Sequence, residues 1–174
     1  MRAPTNYAGP RRQQPKPKQV SQSVESKLSS QTSTVRDLLA QKGTDVITVA
    51  PSDSLLSAVT LLREARIGAV VVMDEGDNVC GILSERDVIR ILAGLESDLA
   101  KLTVGDLMTR QVKACAPDAP LAGVLQAMTQ NRFRHMPVIE HDRLAGIITI
   151  GDVVKHRLQE LEQEKLGMQQ VIVG

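Results

Sequence analysis

Aromatic side chains are almost missing from this chain: Tyr7 and Phe133 are the only two in 174 residues, and there is no tryptophan. The interior must therefore be aliphatic, and a base-stacking platform of Phe, Tyr or Trp is largely excluded, which counts against a binder of single-stranded nucleic acid. Cysteine is nearly as sparse. Cys80 and Cys115 stand 35 positions apart with no further cysteine or histidine at ligand spacing, and His135, His141 and His156 form no metal pattern. Neither structural zinc nor a disulfide framework is expected, and a reducing, cytoplasmic compartment is the simplest setting. No apolar run approaches the roughly 18 residues of a membrane span.

Charge of one sign is also absent overall, with a net charge of +1, but the two signs are unevenly placed. Residues 1–30 carry six basic groups against Glu25 alone, net +5, so the remainder holds 15 basic groups against 19 acidic, net −4. Residues 1–32 have four prolines and no hydrophobic period, and cannot bury enough surface to offset the entropy of ordering them. They read as a disordered basic tail. Such a tail fits an organelle transit segment in composition, which would put the protein in an organelle matrix, but its prolines oppose the amphipathic helix that role uses. It is also the one place from which the chain could act as a nucleic-acid or membrane-surface adaptor, by weak, salt-sensitive attraction.

What is present is one unit written twice. Val46 through Arg90 recurs as Val112 through Lys155, and each copy closes on Gly-x-x-hydroxyl-x-x-Asp, Gly81 to Asp87 and Gly146 to Asp152. Pro51 and Pro117, Leu55 and Leu121, Arg66 and Arg132, and Val72 and Val138 are all 66 apart, whereas Gly81 and Gly146, and Asp87 and Asp152, are 65 apart, so one residue is lost in the second copy's hairpin turn. The lead-in is duplicated as well, Thr34-Val35-Arg36-Asp37-Leu38-Leu39 being echoed by Thr103-Val104-Gly105-Asp106-Leu107-Met108. Within each copy the periodicities predict β-α-β-β-α. The fold class is α/β (α+β), with a first repeat at 33–98, a second at 99–158 and a helical extension at 159–174. Two units too small to stand alone pack on each other, sheet to sheet, and set equivalent polar clusters around shared clefts. In the extension Val154, Leu158, Leu161, Lys165, Met168 and Ile172 make a heptad-like seam of under three heptads. A surface helix docked on its own domain is the expectation, with a dimer contact as the alternative.

Each repeat's ending carries the chemistry. Ser84-x-x-Asp87 and Thr149-x-x-Asp152 are capping boxes, in which hydroxyl and carboxylate satisfy the orphan amides of a helix start. The same geometry grips a nucleotide: free N–H groups and the positive dipole end suit phosphate, and a carboxylate one turn in accepts both hydroxyls of a ribose. Arg132, Arg134 and His135 ahead of Met136-Pro137-Val138 supply positive charge, and Arg86 sits within the first motif. No nucleophile stands beside a base, and no catalytic residue is expected; an enzyme acting on a nucleotide is the other alternative.

The tandem repeat, the Gly-x-[Ile/Leu]-[Ser/Thr]-x-x-Asp endings and the Arg-His-Met-Pro-Val strand resemble a pair of cystathionine β-synthase (CBS) domains, a Bateman module, over about Thr34 to Arg157. The likeness is to small CBS-pair proteins of bacteria and of plant mitochondria or plastids. It implies a non-enzymatic regulatory module without a catalytic cofactor, which takes AMP, ADP, ATP, NAD(H) or S-adenosylmethionine between the repeats, assembles as a homodimer and modulates a separate protein. By that resemblance Asp152 takes the ribose hydroxyls, Thr149 the phosphate, and Arg134 with His135 the phosphate charge, with adenine near Val46 and Ile67, Gly68 and Ala69. A second cleft takes Ser84, Arg86 and Asp87, with Val112, Phe133 and Arg134 near its base.

Overall fold

The computed structural model describes residues 33–92 and 99–172; the basic tail expected at the N-terminus lies outside the described residues. The first repeat is built from β1 (Thr48–Val49), α2 (Leu55–Ala65), β2 (Ala69–Met73), β3 (Val79–Ser84) and α3 (Glu85–Leu92), preceded by the lead-in helix α1 (Val35–Lys42). β1 runs parallel to β2, and β2 pairs antiparallel with β3. β2 reads Ala-Val-Val-Val-Met because it is the middle strand: its first four residues are buried, and β-branched side chains pack well on a sheet covered on both faces. Ser54 caps α2 by accepting the Ser57 amide at 3.1 Å.

The second repeat follows the same plan with one departure. After the short helix α4 (Val104–Leu107), it contains α5 (Leu121–Asn131), β4 (His135–Glu140), β5 (Arg143–Thr149) and α6 (Ile150–Ile172). The expected strand at 112–115 is reduced to a single parallel bridge, in which the Cys115 amide donates to Pro137 O at 3.1 Å and Cys115 O accepts from Ile139 at 2.9 Å. Lys113 and Ala114 are exposed there and bury nothing that would extend the ladder. Helices α2 and α5 each end on an arginine in the left-handed region, Arg66 at φ 53° and Arg132 at φ 58°, which turns the chain into the following strand.

The lead-in helices are exchanged. α1 buries Val35, Leu38 and Leu39 among Leu121, Val124, Met128 and Ile148 of the second repeat, while Val104 and Met108 join Leu55, Leu62, Val70 and Leu83 of the first. The backbone bonds match in the two halves: Val35 N–H donates to Ala119 O at 3.0 Å and Arg36 to Pro117 O at 2.7 Å, as Val104 donates to Asp53 O at 2.9 Å and Gly105 to Pro51 O at 2.8 Å. Leu39 seats on Gly146, where a Cβ would come within 2.9 Å of Leu39 Cδ2, and Met108 seats on Gly81 in the same way. This close approach is the reason for the glycine that opens each motif: any side chain would hold the opposite repeat's helix away from the strand.

α6 continues unbroken from the second motif into the extension. Its inner face is Val153 and His156, three residues apart, both buried; His156 Nδ1 meets Gln41 Oε1 of α1 at 3.2 Å. Over Val154 to Lys165, the part whose side chains are described, the seam read from the sequence is not docked on the domain: Val154 is 43% exposed, Leu158 56% and Leu161 46%, because the stripe lies beside the Val153 and His156 face rather than on it. Ile89, the first repeat's counterpart of Val154, is exposed too.

Candidate functional site

Both motifs fold as reciprocal caps. Asp87 Oδ2 accepts the Ser84 amide at 3.0 Å and the Ser84 hydroxyl at 2.6 Å, and the Asp87 amide donates back to Ser84 Oγ at 3.4 Å. In the second copy Asp152 Oδ2 accepts the Thr149 amide at 2.9 Å, and the Asp152 amide donates to Thr149 Oγ1 at 3.1 Å. Each cap is held against its own repeat: Glu85 N–H donates to Gly68 O at 3.0 Å and Ile150 N–H to Arg134 O at 2.9 Å, so the strand-to-helix corner and the turn after α2 or α5 move as one.

A cavity of about 280 Å³ opens at the mouth of α3. It gathers Ser84, Arg86 and Asp87 from the first motif, Val112, Phe133 and Arg134 from the second repeat, and Gly68 and His135 between them. All six residues expected for the second cleft thus meet in one place. Of the eight expected for the principal cleft, Gly68, Arg134 and His135 line this cavity. Thr149 and Asp152 form the corresponding corner at the mouth of α6, Val46 and Ile67 are half-buried, and Ala69 is buried in the sheet opposite Ser84. His135 sits tightly against Gly68, where a Cβ would lie 2.8 Å from its Nε2.

The sequence reading passed over Glu85, Arg90, Thr109, Gln111 and Lys113, which also line the cavity. Arg90 carried a signal, standing one helical turn beyond Asp87 with Nη1 3.9 Å from Asp87 Oδ1. Thr109 and Gln111 follow α4 and reach the cavity only through the helix exchange. The lining is cationic, with Arg86, Arg90, Lys113, Arg132 and Arg134 against Glu85 and Asp87. Arg86 Nη1 donates to Arg132 O at 2.9 Å, tying α3 across to the left-handed turn of the other repeat. Its counterpart at the other corner, Gly151, has no side chain to do so.

At the α6 corner the charge is arranged differently. Lys42 Nζ, at the end of α1, lies 2.5 Å from Asp152 Oδ2 and donates to Ile147 O at 2.8 Å. Burial raises the Asp152 carboxyl, but the hydrogen bonds from Lys42 and Thr149 together bring it below the usual aspartate range. Burial likewise holds the His135 imidazole below the ordinary histidine value, with Glu85 and Asp152 pulling it up and Lys42 and Arg134 pushing it further down. The Cys115 thiol, pushed by burial up to about 11, stays protonated at neutral pH.

Among the described residues no group of three or more His, Cys, Asp or Glu side chains could hold a metal ion, and no helix is long and apolar enough to cross a membrane.

The family model for the CBS domain matches residues 35–94 and 104–159. The chain is 32% identical over 154 residues to the CBS domain-containing protein CBSX3, mitochondrial, of Arabidopsis thaliana, covering 83% of this chain and 74% of that one. Among solved structures it is similar to a CBS-domain containing protein from Agrobacterium tumefaciens, with a TM-score of 0.70 and 43% identity over 74% of this chain and 96% of that one. It is also similar to the CBS domain pair of protein MJ0100 in complex with 5′-methylthioadenosine and S-adenosyl-L-methionine, with a TM-score of 0.66 and 25% identity over 74% of this chain and 98% of that one. With two matched domains whose lead-in helices, strands and caps correspond in order, the chain belongs to the CBS-domain family as a tandem pair.

Proposed function

We propose that this protein is a non-enzymatic regulatory module that binds a phosphorylated adenosine ligand, AMP, ADP, ATP or NAD(H), between its repeats and passes the occupancy on to a separate protein. The observation that carries this reading is the cationic cavity at the mouth of α3. Amides and a hydroxyl for phosphate, a carboxylate for a ribose diol and five basic side chains converge on one concave space. At about 280 Å³ it lies just below the range of roughly 300–1,000 Å³ typical of ligand clefts, which favours one nucleotide over a larger cofactor. The solved relative's two adenosine-type ligands, 5′-methylthioadenosine and S-adenosyl-L-methionine, support the adenosine class. Phosphate rather than sulfonium is favoured here by the excess of arginine.

Regulation follows from the architecture. A ligand bridging the α3 corner and the Arg132 to His135 turn has different affinity for different relative placements of the repeats, and only such a difference shifts a conformational equilibrium. The exposed stripe of Val154, Leu158 and Leu161 on α6, with Ile89 exposed at the matching position of α3, is proposed as the contact with a second copy, giving a homodimer.

The test is a thermal-shift panel of AMP, ADP, ATP, NADH, S-adenosylmethionine, adenosine and GMP on the purified chain. A ligand at about 100 times its dissociation constant adds about 2.7 kcal/mol to folding stability, a shift of several degrees for a domain of this size. Stabilisation by the phosphorylated adenosine compounds, weakened in Asp87→Ala, supports the reading. No shift with any of them at millimolar concentration refutes it.

A further inference from the structure

The two corners are alike in backbone and unlike in what holds their carboxylates. Asp87 accepts from its own Ser84, and the nearest cation, the Arg90 guanidinium, stands 3.9 Å away on a largely exposed side chain. Asp152 is held by an ammonium from the other repeat, Lys42, at 2.5 Å. That placement is built in. Leu39, one turn before Lys42, is fixed on Gly146, and Lys42 Nζ also donates to the Ile147 carbonyl. At the matching corner the Ile82 carbonyl is instead satisfied by the Thr109 amide at 2.9 Å. Counting from the helix starts at Val35 and Val104, the counterpart of Lys42 is Gln111, a neutral residue lining the cavity.

We propose that Lys42 is the specificity-determining residue of the Asp152 corner, an internal counter-cation that must leave the carboxylate before a ribose diol can use it, and that then serves only a ligand carrying phosphate. The proposal rests on the adenosine-ligand reading above and divides its ligands by charge. A diol donates two O–H bonds to a carboxylate, and at each corner Oδ2 already accepts two, one of them from the cap amide; the second donor at Asp87 is the Ser84 hydroxyl, which turns away for the loss of a hydrogen bond alone, whereas at Asp152 it is the Lys42 ammonium, which must leave an ion pair. Breaking this ion pair, whose two side chains are each 28% exposed, costs roughly 1 kcal/mol, about fivefold in affinity. A neutral nucleoside bears that loss uncompensated. A nucleotide offers the released ammonium a phosphate oxygen within the same corner and recovers it, since lysine binds phosphate as a mobile point charge. The Asp152 corner therefore discriminates against nucleosides, whereas the cavity at Asp87, with glutamine at the matching position, carries no such penalty.

The experiment is a titration of the full chain with AMP and with adenosine, followed by the backbone amides of Thr149 and Asp152 for one corner and of Ser84 and Asp87 for the other. It is run on the native protein, on Lys42→Gln, which keeps a donor for Ile147 O, and on Lys42→Arg, which keeps the charge. At the Asp152 amide, Lys42→Gln is expected to tighten adenosine about fivefold and weaken AMP, so that the preference for AMP falls at least tenfold; Lys42→Arg retains it. An unchanged AMP-to-adenosine ratio in Lys42→Gln overturns the role of Lys42 while leaving the proposed function standing. So does silence of Thr149 and Asp152 towards both ligands while Ser84 and Asp87 respond. Silence at both corners in all three proteins refutes the adenosine-ligand reading itself.

Discussion

Replacing Gly146 by alanine tests the exchanged helix, on which both corners depend. The added Cβ would stand 2.9 Å from Leu39 Cδ2 and 3.0 Å from Cδ1, closer than carbon atoms pack, and Leu39 is only 6% exposed, so it has little room to yield. Forcing an extra methyl into such a contact costs about 1–3 kcal/mol. Against this, alanine restricts the unfolded chain and offsets about 0.5–1 kcal/mol, since Gly146 does not have a positive φ that only glycine tolerates. The net loss is about 0–2.5 kcal/mol. Leu39→Ala alone removes a buried leucine and costs about 2–5 kcal/mol. In the Leu39→Ala background the alanine at 146 has open space, and its cost vanishes or reverses, giving a coupling energy of about 1–3 kcal/mol. Urea unfolding of the four proteins measures the cycle, read from the midpoints at constant slope. Gly123→Ala, on α5 with its nearest neighbour Pro120 Cγ at 3.7 Å, is the control and stabilises by up to about 1 kcal/mol. Equal losses from Gly146→Ala in both backgrounds would mean that Leu39 does not rest on Gly146 and that the helix exchange is wrong.

Three further outcomes follow from individual side chains. Arg132 and Arg66 both occupy left-handed positions that glycine adopts without strain, so each Arg→Gly variant gains about 1 kcal/mol in unfolding experiments; Arg132→Gly also weakens AMP, because it removes one cation of the cavity, while Arg66→Gly leaves AMP affinity as it was. The neutral form of His135 is favoured by folding, so its contribution is complete above the unfolded histidine value near pH 6.5 and is lost as pH falls from there through the lower folded value; His135→Gln flattens that part of the stability profile, and an unchanged slope would contradict the burial of the ring. Leu158→Glu places charge in the exposed stripe of α6, the proposed contact between two copies, and is expected to shift sedimentation towards monomer, whereas a dimer of undiminished affinity would move the contact elsewhere.

The repeat, its order of elements and the Ser84 to Asp87 corner of the α3 cavity were readable because they depend on local pattern: periodicity fixes α2 and β2, and a capping box marks each corner wherever it occurs. Which helix packs on which repeat has no local signature. Val35, Leu38 and Leu39 look the same whether they cover their own sheet or the other, and only the glycine of each motif records that something approaches closely. Lys42 was hidden for the same reason, since a lysine in the last turn of a helix is ordinary and its partner lies 110 residues away. Lys113 and Gln111 were obscured by the expectation of a full strand at 112–115. In α6 the sequence showed a seam but not which way it faces, because Val153 and His156 compete with Val154 and Leu158 for the inner side and the α1 packing decides.

A calorimetric titration of the native chain and of Asp87→Asn with AMP addresses the central claim most directly. The account predicts binding by the native protein, enthalpy from charge-assisted bonds, and a loss of at least tenfold at the α3 corner when the ribose-accepting carboxylate becomes an amide. Identical isotherms for the two proteins would contradict it.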